Sequence, residues 1–250
     1  MKKLTLMLFF AANLLSAKPL IIGIDGGYPP LSEINPDGTI SGFDPDMAAA
    51  ICKEIKAECT VKQVDWEALI PALQTKQIDI IFASMNVLEE RKKKVLFSEP
   101  YYHNPGIFIR RKNSNIELNE QDLKNKTIGV LAASVFEKYA KEKYGKIAKI
   151  ASYPNQNDAN LDAIKGVVDI MFGDKIVLQQ GFLDTANGKD FEQFAGEISD
   201  AKYIGEGIAI AMRLNEKELC EKINKAIKTL RENGEYKKIN DKYFPYDVSQ

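Results

Sequence analysis

Few residues in this 250-residue chain could do chemistry, and their types suit holding a small molecule better than cutting one. The only histidine, His103, cannot serve most acid–base or metal schemes, and no serine–histidine pairing is visible. No phosphate-binding glycine loop occurs, and "GIDGG" lacks the dinucleotide-binding spacing. What remains are short polar residues just past apolar segments. Asp25 and Tyr28 follow "LIIGI", Ser84 and Asn86 follow "IDIIF", Ser134 follows "IGVL", and Asp174 follows "VDIMF". Trp66, the only tryptophan, follows "KQV". Together they offer donors, acceptors and flat aromatic faces, a set that fits a zwitterion. Each also has a plainer use: Tyr28 and Trp66 as core aromatics, Asp174 as a helix N-cap, Asp25 as a turn residue, the serines as caps. The case for a site rests on their shared position at strand ends.

A further stretch, "NVLEERKKKVLFSEPYY", carries six charged residues in a row, Glu89 to Lys94, between apolar flanks. Such runs usually face water. The residues alone leave open whether one of these charges, Arg91 included, is buried for a purpose.

The elements that must position these residues alternate. "LIIGI", "CTVKQV" and "IDIIFASM" read as strands, with helices at "FDPDMAAAICKEI" and "WEALIPALQTKQ" between them. Asp44 is the expected N-cap of the first helix, and Pro71 suggests a start close by or a kink in the second. The order then restarts: "KTIGVLA", "KIASYP" and "VVDIMFGDK" as strands, "SVFEKYAKEKY" and "DANLDAIKG" as helices. This predicts two α/β units, each a mostly parallel sheet flanked by helices. "KYIGEGIAIAMR" alternates like a strand, and "NEKELCEKINKAIKTLRENGEY" is an amphipathic helix with a stop at Gly234. That tail is too small for a domain and must dock on one of the units. Open parallel sheets bind ligands beyond the carboxyl ends of their strands, so two facing lobes imply a cleft.

Composition narrows the partners. Lysine plus arginine (34) nearly cancel aspartate plus glutamate (35), and a net charge of -1 gives no footprint for nucleic acid or an anionic membrane. Residues 1–17 read as a secretory signal peptide: Lys2 and Lys3, then an apolar stretch, then Ala17 before a plausible cut. The stretch is short against the about 20 residues of a membrane span. An exported chain meets an oxidising compartment, where Cys52 and Cys59, a helix end and a strand start, could bridge. Two free thiols remain the alternative. Two sulfurs with one histidine do not make a zinc site, so neither metal nor cofactor is expected. Cys220 reads as a buried thiol on the apolar face of its helix.

From Lys18 to the last helix the chain resembles the periplasmic amino-acid-binding proteins of ABC importers, the solute-binding family 3 group. "GFDPDMAAAICKEIKAECT", "WEALIPALQTKQIDIIFASM", "ERKKKVLFSEPYY" and "YIGEGIAIAMR" carry the resemblance. "GKDFEQFAGEISDAKY" and the Cys52/Cys59 pair look most like the lysine/arginine/ornithine- and histidine-binding branch. The resemblance implies a two-lobed type II binding-protein fold with a two-strand hinge. Lobe 1 would be residues 18–103 and 205–250, and lobe 2 residues 104–204. It implies a monomer in the periplasm that is not an enzyme and delivers an amino acid to an integral-membrane ABC permease. Arg91 would clamp the ligand's α-carboxylate, with backbone N–H groups near Asn86 and Val135–Phe136 completing the cradle. Asp174 and a group near Ser84 would take the α-ammonium. Tyr28 and Trp66 would sandwich the side chain, and Asp25 would meet its distal end, which favours arginine, lysine, ornithine or histidine. The chain departs from the family pattern at Ala83, where serine or glycine is usual, and at Asn86 and Val135, where serine or threonine is. Glutamine or another polar amino acid is the rival ligand, and a dehydratase-like enzyme is the rival function on this fold.

Overall fold

The structure, a computed structural model, describes residues 18–249, so the signal-peptide reading lies outside the described residues. The apolar run Leu20–Ile24 pairs in parallel with Cys59–Gln63 on one side and Ile80–Ile81 on the other. Ala211–Met212 continues this sheet antiparallel to Ile80–Ile81, and Leu96–Phe97 closes it. The second sheet repeats the plan. Thr127–Leu131 lies in parallel between Lys149–Tyr153 and Ile170–Asp174; Gly106–Arg111 and then Phe191–Ile198 follow antiparallel. The expected α/β pattern accounts for the parallel half of each sheet. The antiparallel half begins with the strand that has just crossed from the other sheet: Gly106–Arg111 going out, Ala211–Met212 coming back.

Among the three parallel strands of each sheet, the first in the chain (Leu20–Ile24 or Thr127–Leu131) sits between the second and third. The connections leave it in opposite directions, which opens a crevice beyond the carboxyl ends of the first and third strands. Asp25 and the Phe82–Ser84 segment lie there in one sheet, Ala132–Ser134 and Asp174 in the other. A small sheet of Gly27–Tyr28, Ser32–Ile34 and Ile40–Ser41 stands over the first crevice.

The helix Phe43–Glu54 begins at Gly42, not at Asp44 as the sequence suggests. Gly42 has φ 130, and a Cβ there would meet Leu31 O at 2.4 Å, so only glycine fits. Asp44 is therefore inside the first turn, and its side chain is fully buried. Pro71 falls in the opening turn of Leu69–Gln74, after a 3-10 turn at Trp66–Ala68, where a missing N–H costs no helical bond. The segment read as a strand before the tail is mostly not one. Ala201–Ile204 is a helical turn, and Gly205 (φ 82) and Gly207 (φ 126) reverse the chain as it returns to the first sheet.

The tail helix Lys217–Glu232 buries Cys220, Ile223, Ala226, Ile227 and Leu230, a three-and-four spacing that aims one face at the first sheet's core. Gly234, with φ 80, breaks it from Glu235–Tyr243. Both helices dock on Phe43–Glu54, where the Phe43 ring meets Tyr101, Tyr102, Tyr236 and Phe244 at 5.0–6.2 Å between centroids. Cys52 and Cys59 form a disulfide, and Cys220 is a buried free thiol.

Candidate functional site

The polar strand ends of the two sheets converge on one cavity. Asp25, Tyr28, Ser32, Trp66, Ala83, Ser84 and Asn86 line it from the first sheet's side, and Leu131, Ser134 and Phe136 from the second's. Counting the open space at its mouth, ≈ 370 Å³ lies free between these atoms. Seven of the residues singled out in the sequence share this cavity. Arg91 and Val135 line the adjoining cleft, which shares Trp66 and Ser134 with it. Asp174 lines neither; it is buried just behind.

Arg91 answers the question of the charge run. In the short helix Glu89–Lys92 it alone is buried, while Glu89, Glu90, Lys93 and Lys94 are exposed. Its Nη1 donates to Asn86 O (3.1 Å) and its Nη2 to Ala133 O (3.2 Å), so one guanidinium ties the two sides of the cleft. The guanidinium lies 5.3 Å from the Trp66 ring centre. Ala133 presents its carbonyl there because its φ is 52, as is that of Ser84 at the matching position. Burial pushes the Arg91 pKa down to about 10. Among the described residues, no carboxylate forms an ion pair with it.

Asp25 accepts from Gly27 N (3.3 Å) and Trp66 N (3.1 Å), so it does cap the turn, as its plainer reading supposes. The carboxylate also faces the cavity, and desolvation by burial raises its pKa despite those two donors. No lysine or arginine among the described residues pairs with it.

Ser134 caps Val135–Tyr144, accepting from Glu137 N (3.1 Å) and donating to Leu131 O (2.6 Å). Its proton is therefore committed to Leu131 O. The first-turn N–H groups of Val135 and Phe136 have no helical partner by geometry and stand at the positive end of the helix. Asn86 turns its amide away, to Ile204 O (2.9 Å), and offers the site its backbone. Asp174 caps the next helix through Val177 N (3.1 Å) and also accepts from Asn104. Burial lifts its carboxyl to about 7.

Three participants escaped the sequence reading. Asp44 accepts from Ser84 Oγ (2.9 Å) and Tyr101 Oη (2.6 Å) directly behind the cavity wall. Its place in an apolar helix face, "FDPDMAAAI", was the available signal. Asn104 holds Asp174 from the segment just before the strand Gly106–Arg111. Gly181 lies where a Cβ would strike Pro29 O at 2.5 Å, across the cleft.

The family model of bacterial extracellular solute-binding proteins, family 3, matches residues 20–246. An L-arginine-binding protein of Pseudomonas aeruginosa is 40% identical over 255 residues, covering 99% of this chain and 98% of its own. A histidine-binding periplasmic protein of Escherichia coli is 34% identical over 257 residues, with 99% of both covered. A solved arginine-specific periplasmic binding protein of Salmonella typhimurium superposes with a TM-score of 0.83 at 29% identity, covering 91% of this chain and 100% of that one.

Proposed function

This chain belongs to the bacterial extracellular solute-binding proteins, family 3, and on that premise we propose that it captures a cationic amino acid in the periplasm and hands it to an ABC permease. The observation that carries the reading is a pair of uncompensated charges at one cavity. Among the described residues, Arg91 is buried with no acidic ion-pair partner, and Asp25 is partly desolvated with no basic one. Each is costly alone, and a ligand bearing a carboxylate at one end and a cation at the other offsets both.

In this reading Arg91 and the N–H groups at Asn86, Val135 and Phe136 hold the α-carboxylate. Asp174 and Ser84 accept from the α-ammonium. Tyr28 and Trp66 flank the side chain, where a cation over the rings gains about 0.5–2 kcal/mol. Asp25 meets the distal cation. The lobes are residues 18–103 with 205–250, and 104–204, which open and close about the two crossings, so ligand contacts from both sides favour the closed form. One chain supplies both walls, which supports a monomer as the working unit. The carboxylates are placed to bind charge, with no histidine beside them to move protons, which supports a carrier over an enzyme. The names of the arginine- and histidine-binding relatives support the same ligand class. A thermal-shift panel of the twenty amino acids and ornithine tests it: arginine, lysine and ornithine are expected to give the largest shifts. No shift with any of them would sink the reading.

A further inference from the structure

We infer that Asp44, which does not reach the cavity, is a positioning residue that fixes the polarity of the Ser84 hydroxyl toward the bound ligand; this rests on the ligand reading above. Ser84 is the only wall residue whose side-chain hydroxyl is held by a carboxylate from behind. The geometry is specific. Ser84 Oγ is 2.9 Å from Asp44 Oδ2, and Tyr101 Oη is 2.6 Å from Oδ1. A carboxylate only accepts, so the Ser84 proton points away from the cavity. What Ser84 shows the ligand is then lone pairs alone.

That polarity discriminates. An α-ammonium has donors only, and meets a preset acceptor without reorienting it. A ligand with an acceptor at the same carbon, such as a ketone oxygen, would face lone pairs against lone pairs. A free serine hydroxyl would rotate and serve both equally. The surroundings suit a fixed arrangement. Asp44 is completely buried, and Tyr101 is completely buried and packed against the Phe82 and Phe43 rings. Ser84 itself is held at φ 52, a backbone state that few serines adopt. Beside them, Tyr102 Oη is the one buried side-chain polar atom without a hydrogen-bond partner among the described residues. Burial lifts the Asp44 carboxyl to about 7, with Asp174 adding to the rise. A nearby ammonium would draw it toward the ionised, accepting form.

The plainer role for Asp44 is structural, tying the helix Phe43–Glu54 to the two loops it touches. Calorimetry with arginine and 5-guanidinopentanoate, which lacks the α-ammonium, separates the two roles. Asp44→Asn is expected to weaken arginine by about tenfold or more, the loss typical of a hydrogen bond to a charged group, and the deamino analogue by less than about threefold. Ser84→Ala is expected to give the same selective loss, and adding Asp44→Asn to it little more. Equal losses for both ligands in Asp44→Asn would overturn the inference. A second measurement needs no variant. Wild type is expected to bind the α-hydroxy analogue of arginine, a donor, about tenfold tighter than the α-keto analogue, an acceptor only. Equal binding of those two overturns the inference while leaving the arginine reading intact. No binding of arginine at all overturns both.

Discussion

Replacing Arg91 by alanine tests how much of the binding energy this one buried charge carries. The guanidinium spans the cleft, donating to Asn86 O on one side and Ala133 O on the other, with Trp66 along one face. Among the described residues its charge has no ion-pair partner, and burial already pulls its pKa down. In the proposed function a ligand carboxylate completes it. Truncating one member of a desolvated, hydrogen-bonded charge pair costs about 2–5 kcal/mol, because the other charge is left unpaired. That converts to roughly 30-fold to several-thousand-fold in affinity. The loss has a second part: two carbonyls, one from each side, lose their shared donor. Arg91→Lys keeps the charge but not the planar fork, and is expected to fall between alanine and wild type. Lys93→Ala, two residues along the same run and exposed, is expected to stay within about threefold. Isothermal calorimetry with arginine on the four proteins reads all of this. Equal, small effects of Arg91→Ala and Lys93→Ala would return Arg91 to the solvated face and refute the reasoning.

Gly181→Ala puts a methyl 2.5 Å from Pro29 O across the cleft; overpacking of this kind costs about 1–3 kcal/mol, so ligand affinity is expected to fall roughly fivefold to over a hundredfold. An unchanged affinity would show that this close approach plays no part in binding. The disulfide spans a separation of 7 residues, and opening so short a loop is expected to cost about 2–3 kcal/mol on the entropic account. Denaturant titration of the reduced protein checks this, and alkylation of the native protein should label at most Cys220. The pH dependence has a definite sign. Asp44 and Asp174 sit at about 7 in the fold against an ordinary 3.8. The folded state thus keeps protons that the unfolded chain releases, so ligand-free stability falls as pH rises from about 4 through about 7. A bound ammonium favours the ionised carboxylates, so the melting shift given by arginine should grow from about pH 5 to about pH 8; a flat profile would argue against the ligand's ammonium lying near either carboxylate.

Much of this was legible in the sequence because burial repeats with the period of each element. The "IDIIF" and "VDIMF" segments are strands buried on both faces, and the polar residues after them had to fall at a carboxyl edge. Asp25, Ser84, Ser134 and Tyr28 reach one cavity for that reason. Arg91 was not readable from its own neighbourhood. Five like-looking charges surround it, and only a four-residue helix turning it inward singles it out; the family resemblance supplied that. Asp44 was misread because a glycine two residues earlier starts the helix, and the tightness at Gly42 comes from Leu31, not from any local pattern. The strand expected at "KYIGEGIAIAMR" failed where Gly205 and Gly207 take backbone angles that alternation of side chains does not reveal. Gly181 carries no local signal at all, since what it avoids is 152 residues away, at Pro29.

The central claim is that the cavity selects a cation at the far end of an amino acid. The most direct measurement is the affinity of the wild type and of Asp25→Asn for arginine and for glutamine, side by side. Asp25 faces the cavity with burial raising its pKa and no basic side chain paired with it. Arginine satisfies that charge, whereas glutamine offers only an amide. The wild type is expected to prefer arginine, and Asp25→Asn to lose about tenfold or more for arginine and little for glutamine. A wild type that prefers glutamine, or an Asp25→Asn variant that binds arginine as tightly as before, would contradict the account.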